Sequence, residues 1–490
     1  MNITKRTLAA FASILLLNVS CKKDHTFNDA GTIDNNIYFD INKIYDVYPQ
    51  YASSSMFYNW TVYNVHDPSI KKFGDYYYCY STDVAYGTSI RAGLQIRRSK
   101  DLVDWYFMGW VFDQLPAKGS AYIESQGATP NESLWAPYVM QVGNEYRLYY
   151  SLASNGDRIS AIGLATATNP LGPWTEKGLV VTSKTAGAGT NAIDPTVVTA
   201  TDGKMYLYYG SSWDGLFMKE LNPSTGLAID SLTIGTRIVR RGSTNGMING
   251  NLEGPEIIYN DSTKMYYLFV AYDWLSTKYN TRVYRSSTPT GPFLDWSGNN
   301  VDLAVDHGPM IIAPYKFENQ SGWAGVSHCS VFMQDGQYYI AHQGRPGEDL
   351  AYMDLHVRKL YWTSDGWPVA SPERFANISD STVGSSELIG NFEEVVLGYS
   401  VVPGFAETQT DPQYNYSFKT TLNQDGTING DKNNTWTYNS PWLELHWGTA
   451  FVDKLHVSRD RDWENHVTST IVLSGFNGDG TAIWMKKLSQ

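Results

Sequence analysis

The sequence predicts an all-β protein with a five-bladed β-propeller followed by a C-terminal β-sandwich or β-barrel domain. The first observation behind this prediction is a large repeat of Tyr-rich runs with strand character. The second is the end of that repeat after Pro368, where a different pattern of alternating strands begins. The third is that helical periodicity of useful length is absent from the sequence, which argues against α-rich folds.

The N-terminus has the features of a lipoprotein signal sequence over residues 1–20. Lys5 and Arg6 supply positive charge, the apolar run over residues 8–17 is too short to span a bilayer, and a small residue precedes Cys21. A Cys after such a segment is the lipidated residue in bacterial lipoproteins, whereas ordinary cleavage would leave Cys21 as a free thiol. We expect lipidation of Cys21, and therefore an exported protein held at a bacterial outer membrane or cell surface by its lipid alone.

The charge balance argues against a nucleic-acid partner. The 490 residues include 37 Lys and Arg against 49 Asp and Glu, which gives a formal net charge of −12. Polyanions are bound by clustered basic side chains, and this chain has no basic excess. Cys79 and Cys329 lie in apolar or Tyr-rich runs, so we expect two buried thiols rather than a disulfide. We also expect a monomer.

Five repeat units make up the predicted propeller domain, residues 36–378. Each Tyr-rich run follows a turn and a short apolar strand, which is the signature of a β-hairpin. A further pair of strands completes each unit of about 60 to 70 residues, and radial repetition of such units is typical of a propeller. The alternative, an irregular stack of strands, would have to produce five matching hairpins by chance. The repeated tyrosines are Tyr76, Tyr146, Tyr206, Tyr266 and Tyr338, separated by 70, 60, 60 and 72 residues.

The residues just before the first strand of each unit should meet at one mouth of the channel, because innermost strands line the axis of a propeller. They place Asp67, Asp194 and Glu253 at equivalent positions of three units, with Trp135 and His328 in the other two. Asp-Pro alone commonly marks a turn and carries weight here only through the repeat. Three carboxylates in a narrow channel repel one another, so at least one pKa should rise towards neutrality.

This set of residues suits cleavage of a glycosidic bond. One carboxylate can activate water, a second can protonate the leaving oxygen, and a third can keep the acid protonated. Two alternatives stay open at this point. The carboxylates could ligate a structural cation such as Ca²⁺, and His328 could be a hydrogen-bonded core residue or the ligand of a hydrated metal on the axis.

The motifs that contain these residues resemble the family 43 glycoside hydrolases, specifically the two-domain extracellular endo-1,5-α-L-arabinanases of that family. The resemblance covers nearly the whole chain after the signal sequence. The motifs are His66-Asp67-Pro68-Ser69-Ile70, Trp135-Ala136-Pro137, Asn191-Ala192-Ile193-Asp194-Pro195, Gly210-Ser211-Ser212-Trp213, Glu253-Gly254-Pro255, Gly325-Val326-Ser327-His328 and Ala341-His342-Gln343-Gly344-Arg345.

The resemblance implies a role for each residue of the mouth. It implies that Asp67 is the catalytic base, that Asp194 modulates pKa and that Glu253 is the acid, in a reaction that inverts the anomeric configuration. It also implies one Ca²⁺ at the propeller axis, bound to His328 largely through water.

Substrate contacts are implied in the same way. An indole face can stack on an arabinofuranose ring, although packing between blades is the alternative role for a tryptophan here. Tyr138 departs from the family pattern, because an Asp is frequent after Trp-Ala-Pro. The residues implied to bind substrate are Asn191, Ser211, Ser212, Trp213 and Trp135.

Residues 380–490 are predicted to form the C-terminal β domain, which the longer arabinanases also carry. The alternation of apolar and polar residues over 442–447 indicates a strand with one buried face. Trp442, Trp447 and Trp463 could form a platform for carbohydrate, but we expect them to pack in the core or between the domains.

We therefore expect an inverting arabinan endo-1,5-α-L-arabinosidase whose partners are arabinan and arabino-oligosaccharides. A neutral polysaccharide needs no basic groove, in agreement with the acidic charge. The nearest alternatives are an exo-acting α-L-arabinofuranosidase or β-xylosidase of the same family. A noncatalytic glycan-binding propeller is the alternative from another class, and it would keep its function when Glu253 is replaced.

Overall fold

Four separate four-stranded antiparallel sheets account for the first four repeat units, and in each the strands pair in chain order within the part of the chain that is described. The computed structural model describes residues 39–49, 59–84, 91, 93–155, 158–184, 189–249, 251–303, 308–404 and 409–489. The predicted signal sequence and Cys21 lie outside these residues. Residues 40–490 form one compact unit.

The strands of the first two sheets are β1 (His66–Phe73), β2 (Tyr76–Thr82), β3 (Gln95–Ser99), β4 (Trp105–Trp110), β5 (Trp135–Val142), β6 (Glu145–Ala153), β7 (Ser160–Ala167) and β8 (Thr175–Ser183). The strands of the next two are β9 (Thr196–Thr199), β10 (Met205–Tyr209), β11 (Leu216–Leu221), β12 (Thr236–Val239), β15 (Leu252–Asn260), β16 (Met265–Tyr272), β17 (Asn280–Ser286) and β18 (Met310–Ile312). A small hairpin, β13 (Ser243–Thr244) and β14 (Met247–Ile248), lies between them in sequence.

The fifth repeat unit belongs to a larger sheet of seven strands. Strands β21 to β24 pair in chain order like the strands of the other four units, but β22 is ten residues long and its end also pairs with β20. The prediction of a propeller-like all-β arrangement is confirmed, whereas a separate fifth sheet is not found, because β22 extends past β21. The strands of this sheet are β19 (Tyr315–Lys316), β20 (Trp323–Ala324), β21 (Ser330–Gln334), β22 (Gln337–Pro346), β23 (Asp354–Trp362), β24 (Pro368–Ala370) and β26 (Asn415–Tyr416).

One α-helix, α1 (Ala117–Ser125), joins the first sheet to the second and was not expected from the sequence. The helix has only nine residues, and its apolar residues form too weak a pattern to stand out from the surrounding loop. Short 3₁₀ turns occur at Ile41–Lys43, Val301–Leu303 and Ser385–Leu388. Among the described residues, no helix combines the length and the apolar character needed to cross a membrane.

Other tyrosines of the Tyr-rich runs join neighbouring sheets. Both faces of a propeller blade are covered, so the second strand of each unit is buried, and a buried hydroxyl needs a hydrogen-bond partner. Tyr80 donates to the Pro170 carbonyl of the second unit, 2.5 Å away. Other hydrogen bonds to the next unit run from Tyr149 to the Gly226 carbonyl, from Tyr208 to the Pro289 carbonyl and from Tyr267 to the Gly366 carbonyl. The Tyr-rich repeat is therefore the sequence signature of contacts between sheets. Cys79 and Cys329 are buried free thiols, as predicted.

The first strands of the repeat units are tied to one another by hydrogen bonds. Each of these bonds uses a side chain of one first strand and a group of the next, so β1, β5, β9, β15 and β21 form a closed circuit. The bonds run from Val139 N to Ser69 Oγ, from Tyr138 Oη to Val197 O, from Thr196 Oγ1 to Glu256 Oε2, from Val331 N to Glu256 Oε1 and from Ile70 N to Ser330 Oγ.

The C-terminal segment forms a closed barrel. Its interior is filled by apolar side chains, among them Leu443, Leu445 and Leu473. Trp463 is buried and its indole nitrogen donates to the Arg374 carbonyl at 2.7 Å, so it packs against the segment that leaves the propeller. The barrel strands are β25 (Gly390–Val396), β27 (Phe418–Leu422), β28 (Thr427–Ile428), β29 (Asp431–Asn439), β30 (Trp442–Trp447), β31 (Phe451–Asp462), β32 (Val467–Phe476) and β33 (Ala482–Lys487).

Candidate active site

A kink marks the start of the first strand in each repeat unit. In β1, β5 and β15 the pairing register shifts at this point, as in a β-bulge, which lets consecutive side chains turn towards the channel. One residue at each kink has a left-handed φ, which is costly for any residue other than Gly. These residues are Asp67 (52°), Ala136 (33°), Asp194 (60°), Gly254 (57°) and His328 (56°).

This alignment corrects one expectation. Asp67 and Asp194 occupy equivalent positions, as predicted, but the equivalent residue in the fourth unit is Gly254. Glu253 lies one residue earlier, at the position that His66 occupies in the first unit. The carboxylate of Glu253 therefore approaches the channel from a different direction than those of the two aspartates.

The carboxylate of Asp67 is the most heavily hydrogen-bonded group of the mouth. Its Oδ1 lies 2.9 Å from Nδ1 of His328 and 2.7 Å from Nδ1 of His66. Its Oδ2 accepts a hydrogen bond from Thr82 at 2.6 Å, and its backbone amide donates to Oε1 of Gln343. Burial alone would raise the pKa of Asp67, but the interactions with His328 and His66 hold the pKa well below its usual range. Asp67 is therefore ionised at neutral pH.

Glu253 and Asp194 are held side by side. Oε2 of Glu253 accepts from Ser211 Oγ and Oε1 accepts from the Tyr279 hydroxyl, each at 2.7 Å. Oδ2 of Asp194 accepts from the backbone amide of Gly254 at 3.1 Å. Glu253 is half-buried, whereas Asp194 is buried.

The electrostatics of the mouth link all three carboxylates. Burial raises the pKa of Asp194 well above its usual range, the charges of Glu253 and Asp67 raise it further, and His328 opposes them. Burial alone would lower the pKa of His328, but Asp67 and then Asp194 raise it to about 9. One carboxyl pKa of the mouth, that of Asp194, is therefore raised as expected, and burial contributes more to this rise than the neighbouring carboxylates do.

The side chain of Asn191 lies next to this cluster, and its carbonyl oxygen already accepts hydrogen bonds. Its Oδ1 accepts from Ser160 Oγ at 2.6 Å and from Ser183 Oγ at 3.3 Å, so its amide nitrogen is left to meet a ligand. The backbone of Asn191 pairs with that of Ser211, whose hydroxyl holds Glu253. Two of the predicted substrate residues are thus fixed relative to the predicted acid.

Two further predicted substrate residues occupy an exposed turn. Ser212 and Trp213 both have left-handed φ values, 51° and 49°, and Trp213 is 50% exposed. The guanidinium of Arg158 lies 5.1 Å from its ring centroid. Trp135 is half-buried at the kink of β5. Tyr138 is buried and donates to the Val197 carbonyl, so it ties β5 to β9.

Thr82 and Tyr279 were not singled out in the sequence, and Gln343 appeared there only within a motif, without a role. Thr82 lies at the end of β2, directly opposite His66 in the register, and Tyr279 immediately precedes β17. Gln343 lies near the end of β22. All three are at strand ends on the mouth side, and this shared position is the signal that could have identified them.

Residues 61–368 match the family described as Glycosyl hydrolases family 43. The chain belongs to glycosyl hydrolase family 43. Its five-unit segment therefore carries the catalytic domain of a glycoside hydrolase, and residues 372–485 match a C-terminal lipocalin-like domain.

Family 43 relatives of this chain include both endo-acting and exo-acting enzymes by name. The extracellular endo-α-(1→5)-L-arabinanase 2 of Bacillus subtilis is 26% identical over 469 residues, which cover 86% of this chain and 93% of the relative. The extracellular exo-α-(1→5)-L-arabinofuranosidase ArbA of Cellvibrio japonicus is 29% identical over 62% of this chain and 86% of its own length. The crystal structure of endo-1,5-α-L-arabinanase from Thermotoga petrophila aligns with a TM-score of 0.74 and 25% identity, over 88% of this chain and 99% of that chain.

A metal on the axis of this family 43 domain would have one direct protein ligand. Because Nδ1 of His328 contacts Asp67, its Nε2 is the ring nitrogen available to an ion. Within the described part of the chain, His66 Nε2 and Gln343 Nε2 are buried without a hydrogen-bond partner, and both side chains contact Asp67. Buried polar atoms of this kind are satisfied by ordered water, so the surroundings of His328 fit a hydrated cation.

The three-carboxylate cluster of Glu373, Asp462 and Glu464 lies elsewhere, where the propeller segment meets the barrel. The ammonium of Lys486 contacts all three groups, at 3.1, 2.8 and 2.8 Å. Lys486 therefore takes the place that a cation would need, and the cluster serves to join the two domains.

Proposed function

We propose that the chain is an endo-acting hydrolase of α-1,5-linked L-arabinan that works by a single displacement with inversion. The observation that carries the proposal is the joint placement of an ionised Asp67 and a Glu253 held by two hydroxyl groups at the mouth of a family 43 domain. Endo action is favoured over exo action because relatives that cover 86% and 79% of the chain are both named endo-arabinanases.

Asp67 is suited to act as the general base. A carboxylate offers about four lone-pair positions. Two positions on Oδ1 are used by His328 and His66, and one on Oδ2 is used by Thr82. The fourth position, on Oδ2, is left for a water molecule, which Asp67 can deprotonate as the water attacks the anomeric carbon.

Glu253 is suited to act as the general acid. Ser211 and Tyr279 fix both of its oxygens, so the proton that it gives to the leaving oxygen has a defined direction. Asp194 holds the adjacent Gly254 amide and supplies a titrating group beside the acid, which supports its role as modulator of proton transfer.

The substrate chain would lie across the mouth near Trp213. Its half-exposed indole offers a flat face for an arabinofuranose ring, and Ser212, the Asn191 amide nitrogen and Trp135 lie on elements that border the same cluster. The contact of Arg158 with Trp213 fixes the orientation of the ring.

A Ca²⁺ ion bound through His328 Nε2 and water would fit the axis. When bound, the ion would supply positive charge close to three carboxylates and help to orient solvent. Oxygen ligands from water suit Ca²⁺, and the ion would have to displace the proton that a pKa of about 9 leaves on the His328 ring at neutral pH.

The fifth repeat unit is best interpreted as a fifth blade. The consecutive pairing of β21 to β24 and the circuit of hydrogen bonds from β1 through β21 support this interpretation. The strands β20, β19 and β26 would then be an extension of that blade towards the barrel.

The protein would act outside the cytoplasm. The relatives are named extracellular, and the sequence around Cys21 supports lipid attachment at a bacterial outer membrane or cell surface. A monomeric state stays a prediction.

Product analysis on linear α-1,5-arabinan tests the proposed function. A ladder of oligosaccharides that is absent with Glu253→Gln would support endo action with Glu253 as the acid. Release of arabinose alone would favour the exo-acting alternative, and activity only on xylosides would favour a β-xylosidase. Binding of arabinan with no product from the unaltered protein would favour a noncatalytic glycan-binding propeller.

A further inference from the structure

A second cleft lies between the barrel and the fourth and fifth repeat units, with a volume of about 530 Å³. The barrel supplies one wall of the cleft through the outward-facing side chains of β30, which alternate with inward-facing ones. Leu443 and Leu445 point into the barrel core, so Trp442 and Glu444 point outwards. In the register, Asn439 of β29 stands beside Trp442, and Lys454 of β31 stands beside Glu444. The result is a flat outer face with one aromatic ring, one amide and one pair of opposite charges.

The two tryptophans of the cleft pack against neighbouring aromatic rings, which hold them in place. The ring of Trp442 makes an edge contact with His456, which stacks on the buried Tyr361 of β23 at 3.9 Å. Burial lowers the pKa of His456 to about 4, so this support is uncharged at neutral pH. On the opposite wall, Trp296 packs against Phe476 and keeps part of its surface exposed to the cleft.

This cleft lies at the end of the propeller opposite to the catalytic mouth. Strand β23 runs from Asp354, which pairs near the mouth end of β22, down to Trp362. The turn that follows contains Asp365, which lines the cleft. Asp67, by contrast, lies at the start of β1, where the inward strands begin. A molecule in the cleft would therefore not touch the catalytic cluster.

The chemistry of the lining indicates the class of ligand. Two partly exposed indoles suit the flat apolar faces of sugar rings, and the hydroxyl and amide side chains around them suit sugar hydroxyls. Glu444 and Lys454 offset each other at 3.5 Å, which leaves Asp365 as the remaining charge of the lining. An anionic polymer would meet an unbalanced negative charge, whereas a neutral glycan would not.

We propose that the cleft between Trp442 and Trp296 is an accessory binding site for a neutral glycan chain, namely the arabinan backbone. This assignment of the ligand rests on the proposed function. A chain held there raises the effective concentration of the polymer at the catalytic mouth, and short oligosaccharides cannot reach both sites.

The test compares the unaltered protein with Trp442→Ala on two substrates, long linear arabinan and arabinotriose. The expected result is a rise in KM for the polymer of about tenfold, which corresponds to the loss of one aromatic stacking contact, with the kinetics on arabinotriose unchanged. An unchanged KM on the polymer would overturn the proposal, and so would an equal loss on both substrates. Failure of the unaltered protein to cut either substrate would instead refute the proposed function.

Two further variants keep the test decisive. Asn439→Ala removes an exposed amide from the same face and keeps Trp442. It should raise the KM for the polymer by a smaller factor, and it serves as the test if Trp442→Ala does not fold. Tyr416→Ala is the matched control, because Tyr416 is a 65% exposed aromatic residue on β26 that does not line the cleft. Native gels with embedded arabinan or galactan identify the sugar. Retardation that depends on Trp442 in arabinan supports the assignment, and equal dependence in galactan overturns it.

Discussion

Asp194 and Gly254 are joined by a hydrogen bond of 3.1 Å from the Gly254 amide to the Asp194 carboxylate, and both residues have a left-handed φ at the kink of their strands. A side chain at Gly254 would bring a Cβ to 3.0 Å from the imidazole of His328. The space beside His328 therefore favours Gly at this position more than the conformation does, because Asp67, Asp194 and His328 adopt the same left-handed φ with a side chain. Through this bond, Asp194 fixes the backbone immediately after Glu253.

Replacement of Asp194 by Asn separates the two contributions of this residue. The amide oxygen can still accept from Gly254, but the titrating group is lost. We expect kcat on arabinan to fall about 10²-fold, within the range of an acid–base contribution, while the thermal unfolding midpoint changes little. Asp194→Ala should lose as much activity and also lose stability, because the Gly254 amide then lacks its acceptor. Equal kcat for Asp194→Asn and the unaltered protein would contradict the modulator role.

The acid and base roles can be distinguished by the leaving group. A nitrophenol leaves without protonation, so an aryl arabino-oligosaccharide needs the base but hardly needs the acid. We expect Glu253→Gln to reduce kcat on arabinan by about 10³-fold or more and to retain much of its activity on the aryl substrate. Asp67→Asn should lose activity on both substrates, because water still has to be deprotonated. The same loss on both substrates for Glu253→Gln would contradict its assignment as acid.

The sequence predicted the architecture because its signals repeat. Five hairpins with matching tyrosines locate the sheets, and the buried hydroxyl of Tyr80 shows why the residue type recurs. The merger of the fifth unit into a larger sheet could not be predicted, because it depends on β20, a strand of only two residues. Strands of that length carry no periodicity.

The site was predicted less completely than the fold. Motifs identified Asp67, Asp194 and Glu253, but the offset of Glu253 by one residue comes from kinks in the backbone, which a sequence pattern does not reveal. Tyr279 is a single tyrosine in a chain that contains 35, so residue type alone could not single it out. Its role follows only from the distance of 2.7 Å to Glu253.

Metal removal tests the proposed ion at His328. A chelator should lower the thermal unfolding midpoint of the unaltered protein, and Ca²⁺ in excess should restore it, because a ligand that binds only the folded state stabilises it. In His328→Gln the midpoint should not respond to either addition. The control is Glu464→Gln, which alters the cluster around Lys486 and should leave the response to Ca²⁺ intact. If the response of the midpoint to Ca²⁺ is lost in Glu464→Gln and kept in His328→Gln, the ion binds at the cluster around Lys486, and the proposed site at His328 is wrong.

Stability should depend on pH through Glu394, a buried residue of the barrel whose carboxylate accepts from Thr420 at 2.6 Å. Burial raises the pKa of Glu394 from 4.5 to about 7, so the folded state holds this proton more tightly than the unfolded chain. The stabilising contribution is present below pH 4.5 and is lost as the pH rises through 7, a change of about 3 kcal/mol. Glu394→Gln keeps an acceptor for Thr420 and cannot ionise. We therefore expect the variant to unfold at higher denaturant concentration than the unaltered protein at pH 8 and to show no such gain at pH 4.

Glu132→Gln, at an exposed position, is the control and should show no pH-dependent difference. A gain for Glu394→Gln that is equal at both pH values would mean that packing, and not the buried charge, controls stability at this position.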